Sequence, residues 1–393
     1  MKAVGITAEY NPFHLGHAYQ ITETRRRIGE DRPVICVMSG NWVQRGECAL
    51  TDKWTRAELA LRNGADLILE LPLPWAISSA EGFSRGAITT LLATGLVDTI
   101  SFGSESGNIE ALRRLAHAAN TPTYWECLHY NLDFGLPFAQ ARQKAMSACV
   151  GTDAQLLRGP NDNLGVEYLR TAGDSCAAVA IIRQGVHHDS TSAADGYASA
   201  TLLRALARED RWEELARWTP EGTADILRVA GIADMSYLER AILARLRFMK
   251  EENFAALPDS GRAEGLTVRL YRAAQQADSL EQFCQMVKTK RYAYARIRRL
   301  ILCAFLGLGH EKKPTEPRYI RVLGMNSRGK QLLKEMKNTA DLPVITKAAH
   351  IRRLDAEAQN LFELESCATD LYALCFPNVR SCGMDYKKGP VIL

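Results

Sequence analysis

Short, nearly continuous apolar runs alternate with segments of helical spacing through the first half of the chain. The apolar runs are 3–7 (AVGIT), 33–38 (PVICVM), 65–71 (ADLILEL), 97–102 (VDTISF) and 177–182 (AAVAII). Between them lie 55–64 (TRAELALRNG), 84–95 (SRGAITTLLATG), 109–119 (IEALRRLAHAA) and 165–173 (GVEYLRTAG), with apolar positions three and four apart. Apolar strands without alternation, separated by amphipathic helices, predict a parallel sheet covered on both faces. The expected architecture is a doubly wound α/β domain with right-handed crossovers, which binds ligands where its strands end and turn into helices.

After about Arg204 the pattern changes. Helical spacing recurs at 211–218, 235–250, 265–277 and twice within 280–308, with no strand between them. The segment 311–333 carries prolines, charges and a glycine and reads as a loop entering a further helix. A doubly wound α/β domain over 1–205 followed by a mostly helical domain over 206–393 is the predicted organisation. There is no internal repeat and no low-complexity tract.

Composition narrows the class. At 393 residues the chain is too long for one ordinary core, and 47% hydrophobic with 24% charged residues is the balance of a globular protein. No apolar run is long enough to span a membrane. The opening MKAVGITAEYNP lacks the pattern of a signal peptide, so a cytosolic protein is expected. The ten cysteines include no C-x-x-C pair, which argues against a zinc ribbon or a thioredoxin-like site. A net charge of +4 permits a nucleic-acid partner without requiring one.

The chemistry concentrates in 9–17, EYNPFHLGH, which connects the first strand to the first helix. A helix start leaves backbone N–H groups unpaired and carries partial positive charge, so it attracts phosphate. Gly16 removes a side chain where a ligand approaches. His14 and His17, three apart, share one side of the first turn, and their rings can donate to phosphoryl oxygens, most strongly in the transition state. On these residues alone, a polar turn is the alternative. No third ligand stands at a recognisable spacing, so no metal site is expected.

H-L-G-H after a first strand resembles the HxGH signature of the HIGH-type nucleotidyltransferases. Further segments resemble one branch, the bacterial tRNA(Met) cytidine acetate ligases: MSGNWVQRGE (38–47), KWTRAELAL (53–61), GADLILELP (64–72), FGSE (102–105), GPNDNLGVEYL (159–169), SATLLR (199–204), RYAYARIRR (291–299) and YIRVLG (319–324). The ordered series spans most of the chain. The resemblance implies an enzyme that forms acetyl-adenylate from ATP and acetate, with magnesium. It then acetylates the wobble cytidine of elongator tRNA(Met) to N4-acetylcytidine. It also implies an ATP site of Thr7, Ala8, Glu9, Tyr10, Asn11, Pro12, Phe13, His14, Leu15, Gly16, His17, Gly103, Arg183, Ser199 and Arg204, with His14 and His17 catalytic. The pattern P-N-N-x-L-G is expected at 160–165, where this chain has Asp162 in the middle. Either Asn161 or Asn163 is then the nucleotide contact.

The remaining constellations follow from their places. Ser199 is a good N-cap whose hydroxyl and first amides can hold an anion, and Arg204 reaches the same place; an N-cap with a surface arginine is the alternative. Gly103 lets the backbone close over base or ribose, or forms an ordinary turn, and Arg183 ends a strand at the same rim. Arg45 and Lys53 are cations of a loop that covers the triphosphate or orients acetate, or else a surface loop. The run from Gln282 to His310 has no acidic residue, and it contains Lys288, Lys290, Arg291, Arg296, Arg298 and Arg299 with Tyr292 and Tyr294 interleaved. Cations neutralise phosphate and aromatics stack on bases, so this run is the expected tRNA contact. Two rivals remain: adenylyl transfer to a phosphate-bearing small molecule, and a non-catalytic RNA-binding protein. A large cationic surface argues against the first, and intact phosphate-binding motifs against the second.

Overall fold

A computed structural model describes residues 1–184, 193–194, 196–261, 265–309 and 314–393. The chain begins β1 (Ala3–Ala8), α1 (Leu15–Ile28), β2 (Val34–Ser39), β3 (Trp42–Val43), β4 (Glu47–Cys48), α2 (Lys53–Arg62) and β5 (Leu67–Leu71). It continues α3 (Leu73–Ala76), α4 (Ala80–Leu92), β6 (Val97–Ser104), α5 (Ile109–Ala118), α6 (Pro122–Asp133), α7 (Phe138–Val150), α8 (Pro160–Ala172) and β7 (Ala177–Ile182). After the short β8 (Ala193–Ala194) and β9 (Tyr197–Ala198) come α9 (Ala200–Arg208), α10 (Trp212–Ala216), α11 (Thr223–Ala230), α12 (Glu239–Phe248) and α13 (Glu251–Ala255). Then follow α14 (Leu266–Gln276), α15 (Leu280–Val287), α16 (Tyr294–Leu306), β10 (Ile320–Met325), α17 (Ser327–Thr339), β11 (Val344–Ile345), α18 (Ala356–Tyr372), α19 (Met384–Lys387) and β12 (Val391–Ile392).

One eight-stranded sheet has the order β11-β10-β5-β2-β1-β6-β7, with β12 beside β10. From β5 to β7 every pair is parallel. The chain moves outward from β1 through β2 to β5, then returns to the other side of β1 for β6. The crevice between the ends of β1 and β6 is therefore the switch point where such sheets bind ligands. Both faces are covered, as the apolar strands predict. Along β2, Ile35 and Val37 join the core under α4 and α8, while Val34, Cys36 and Met38 join the core under α1 and α2. A third core holds Ile242, Leu246, Leu270, Phe283 and Ile297 of the helical region together with Trp42 and Leu73.

Two expectations need correction. The second half is mostly helical but not strand-free, and the loop read at 311–333 contains β10, which pairs antiparallel with β5. The 205/206 boundary therefore does not separate sheet from helices. Residues 311–313 of that segment, and His310 at the end of the basic run, lie outside the described residues. Secondly, Lys53 is not in a loop over the phosphates. It is 1% exposed at the start of α2 and pairs with Glu70 at 2.7 Å and Asp385 at 2.8 Å. Arg321 of β10 completes the cluster, 3.3 Å from Glu70 and 2.8 Å from Asp385. A charge inside β10 hides its strand character; Glu70 and Asp385, remote in sequence, make that charge tolerable. No described helix is long and apolar enough to cross a membrane.

Glu365 lies beside this cluster, accepting from Leu73 N at 3.1 Å and Tyr319 Oη at 2.5 Å. Burial, and next the charge of Glu70, raises its pKa from 4.5 to about 7, although Lys53, Tyr319 and Arg321 pull it down. Between those values the folded state keeps a proton that the unfolded chain has released, so stability falls as pH rises through this window. Glu365→Gln should flatten the dependence of urea midpoints between pH 4.5 and 7. A variant whose midpoints track the wild type across that window would refute the assignment.

Candidate active site

The connection from β1 to α1 is built into the core. Tyr10 and Phe13 are 2% and 0% exposed. Tyr10 takes a left-handed conformation (φ 46°), and its ring packs against Phe13 and His17 at 4.9 Å each. That backbone costs a non-glycine residue about 1–3 kcal/mol and is held by the buried ring. Asn11 Oδ1 accepts from Leu50 N at 2.7 Å. The side chains of Tyr10, Asn11 and Phe13 thus position the loop. Thr7 hydrogen-bonds the buried phenol of Tyr168, while Ala8 and Pro12 are buried. Leu15 opens α1, half-buried.

His14 caps its own helix. Its Nδ1 accepts from Gly16 N at 3.0 Å, and His17 Nδ1 accepts from His14 N at 3.3 Å. The two rings stack with centroids 3.7 Å apart. Because both Nδ1 atoms accept from amides, the neutral rings carry hydrogen on Nε2, which makes each Nε2–H the donating group. A Cβ on Gly16 would stand 2.9 Å from His14 Cε1, so this glycine makes room for the capping ring. The expectation of unpaired amides at the helix start is corrected as well. Leu15 N donates to Trp218 O at 3.1 Å, Gly16 N to the His14 ring, and His17 N to His14 O at 2.9 Å. What this end of α1 offers an anion is imidazole donors and the helix dipole.

Arg204 is fastened to the same loop, and Ser199 caps the helix that carries it. Ser199 Oγ caps α9, accepting from Leu202 N at 3.0 Å. Arg204 donates to Asn11 O at 3.0 Å and to Thr201 Oγ1 at 3.2 Å. Across the crevice, Glu105 caps α8. Its Oε1 accepts from Asn161 Nδ2 at 2.6 Å and Asn161 N at 3.1 Å, and its Oε2 from Asp162 N at 2.8 Å. The unexpected Asp162 is a buried latch, accepting from the Ser104 hydroxyl and from Ser106 N at 3.1 Å. It ties α8 to the end of β6. Asn163 follows one position along α8, half-buried. The side chain of Arg183 lies across Gly103, its Cγ 3.4 Å from where a Cβ would stand.

Arg56, 0% exposed, joins the strand ends. It donates to Glu9 O at 2.6 Å, Ser39 O at 3.1 Å, Thr51 O at 3.1 Å and Gly40 O. Glu9 sits within the charges of Arg56, Arg204 and Arg45. Burial raises its pKa, opposed by the Gln44 amide and by these cations. Gln44 bridges two regions: its N–H donates to Glu9 Oε1 at 2.7 Å and its carbonyl accepts from Arg299 at 3.5 Å. Arg298 donates to Glu47 Oε1 at 2.5 Å. A Cβ on Gly46 would stand 2.6 Å from the Arg298 carbonyl carbon, so the β3–β4 turn abuts α16 backbone to backbone.

The basic run accordingly divides. Arg298 has a carboxylate partner after all, supplied from a distant segment, and Arg299 is half-buried against the hairpin. Arg296 donates to Asp259 O at 2.9 Å and Tyr292 is core, 4% exposed. Lys290, Arg291 and Tyr294 face outward, and Lys288 lies 5.3 Å from the Tyr294 ring. Sequence reasoning missed Arg56, Gln44, Glu105 and Trp218. Arg56, Gln44 and Glu105 lie in the segments KWTRAELAL, MSGNWVQRGE and FGSE that carried the resemblance, but none was given a role; Trp218 had no signal. Among the described residues no three His, Cys, Asp or Glu side chains come together as a metal cage.

Comparison with known proteins is consistent with this geometry. The HIGH Nucleotidyl Transferase family model matches residues 1–386. A tRNA(Met) cytidine acetate ligase of Fervidobacterium nodosum is 34% identical, with 98% of each chain covered. The crystal structure of apo Thermotoga maritima TmcAL superposes with a TM-score of 0.94 at 36% identity, over 100% of both chains. The same protein bound with alpha-thio ATP gives 0.91 at 35% identity, again over 100% of both chains.

Gly16→Ala should push the His14 ring off its amide. Nitrogen-15 spectra should show Nε2–H tautomers for both histidines in the wild type and a changed His14 signal in the variant. An Nδ1–H tautomer in the wild type would contradict the capping geometry.

Proposed function

This chain belongs to the HIGH nucleotidyl transferase family and to its tRNA(Met) cytidine acetate ligase branch, and we propose that it forms acetyl-adenylate from ATP and acetate and passes the acetyl group to the wobble cytidine of elongator tRNA(Met). The observation that carries this reading is the stacked His14–His17 pair at the switch point, with both Nε2–H groups set as donors. Donors fixed before the reaction act on charge as it develops, without reorganisation.

The α-phosphate lies at the start of α1, within reach of both imidazoles. An acetate oxygen attacks phosphorus; one P–O bond forms, the bond to the β-phosphate bridging oxygen breaks, and pyrophosphate leaves. Positioning and charge stabilisation supply most of the acceleration. Arg183 approaches from the β7 side, and Arg204 holds the loop through Asn11. Glu105 engages the side-chain N–H of Asn161, which supports Asn163 as the nucleotide contact of that motif. In the second step the cytidine amine attacks the acyl carbonyl, AMP leaves, and the nitrogen loses a proton. The wobble base leaves the anticodon stack to reach the carbonyl. Lys288, Lys290 and Arg291 meet the RNA backbone, whereas Arg298 and Arg299 hold the β3–β4 hairpin.

The direct test supplies ATP, magnesium, radiolabelled acetate and tRNA(Met). Label should enter the RNA as N4-acetylcytidine only when ATP is present. ATP turnover without labelled RNA would favour adenylyl transfer to another acceptor. His14→Ala or His17→Ala should lower acetate-dependent ATP–pyrophosphate exchange about a hundredfold while sparing tRNA binding. Arg299→Ala should raise KM for ATP several-fold at unchanged tRNA affinity; weakened tRNA binding with normal exchange would return Arg299 to the RNA surface.

A further inference from the structure

The α6–α7 hairpin, to which the sequence pattern assigned no role, presents a stripe of aromatic rings to solvent. Tyr130 is 64% exposed, Phe134 71% and Phe138 55%, and Trp125 adds an edge at 37%. The Tyr130 and Phe134 rings touch at the end of α6, with centroids 4.8 Å apart, and Phe138 opens α7 just past the turn. The hairpin does not need them for its own packing. Tyr124 and Leu128 of α6, with Ala141, Ala145 and Met146 of α7, are buried in its core. Leaving contiguous aromatic area in water is costly, and such patches mark interaction surfaces.

The neighbouring charges indicate the partner. The turn between the two helices meets the loop before α16, where the Arg291 guanidinium reaches to 3.7 Å of a Cβ position on Gly135. Exposed Lys290 adjoins it, and Lys288 lies over the Tyr294 ring, itself 44% exposed. Rings and cations from segments far apart in sequence thus form one surface. A protein copy docked face to face would bring these cations against one another. A single-stranded nucleic acid would instead place bases on the rings and phosphates on the cations. Glu126 and Asp133, also exposed on α6, would repel a phosphate backbone and favour its passing on the Arg291 side.

We infer that the Tyr130–Phe134–Phe138 stripe and Arg291 form a base-stacking platform for unpaired nucleotides of the substrate tRNA. This rests on the tRNA reading above. It adds a surface on the catalytic half that the basic run alone did not indicate.

The test compares the full-length protein with Tyr130→Ala/Phe134→Ala and Tyr130→Trp/Phe134→Trp. Filter binding of a tRNA(Met) transcript is measured alongside acetate-dependent ATP–pyrophosphate exchange and mass by light scattering. The alanine pair should weaken tRNA binding about tenfold or more, since each stacked ring contributes measurably. Exchange should be unchanged, and the tryptophan pair should bind like wild type. Alanine and wild-type proteins of equal affinity would overturn the platform. Loss of a dimer in the alanine pair, with affinity intact, would assign the face to a second copy and overturn it too. A wild-type protein that carries out exchange but binds no tRNA would instead refute the tRNA reading itself.

Discussion

A buried guanidinium holds the site together. Parallel strands end with carbonyls that point to no partner, and Arg56 gathers those of Glu9, Ser39 and Gly40 with that of Thr51 from the next loop. No other side chain offers as many donors in a rigid fork. Burial alone would disfavour the charge, and it does lower the pKa of Arg56, against the field of Tyr372, Asp52, Glu9 and Glu70. Each charged hydrogen bond returns about 1.5–3 kcal/mol, and removing the donor would leave the buried carbonyls unsatisfied. The ends of β1 and β2 are thereby fixed, and everything that follows them inherits that position.

From this clamp the geometry spreads outward. Glu9 is held by Arg56 through its carbonyl and by Gln44 through its carboxylate, and Gln44 in turn meets Arg299 on α16. A continuous path of hydrogen bonds therefore runs from the histidine loop to the middle of α16. On the other side, Asn11 anchors to Leu50 and receives Arg204. The two imidazoles then stack on a backbone with little freedom to shift. A site of this kind acts by preorganisation, which is what the proposed adenylation of acetate would require.

How much of this was legible depends on the range of the interactions. The strands of the parallel core could be read because they are buried on both faces, as the VICVMS run of β2 shows. The histidine loop could be read from its place after β1. β10 could not, since Arg321 breaks its apolar run and the compensating Glu70 and Asp385 are far away in sequence. The basic run looked unbalanced for the same reason: Glu47, which faces Arg298, stands 251 positions away. Gly16 was read as room for a ligand, when the nearest demand on that space is the ring two residues before it. Local pattern reports burial well; it does not report which remote group satisfies a charge.

The most direct test of the clamp is the ATP affinity of Arg56→Met, measured by calorimetry at a temperature where circular dichroism shows the sheet intact. If Arg56 sets the nucleotide cradle, the folded variant binds ATP at least about tenfold more weakly than wild type, because loops placed an ångström off lose their aligned donors. A folded variant with wild-type ATP affinity would show that the strand ends hold their positions without it, and the account would fail at its centre.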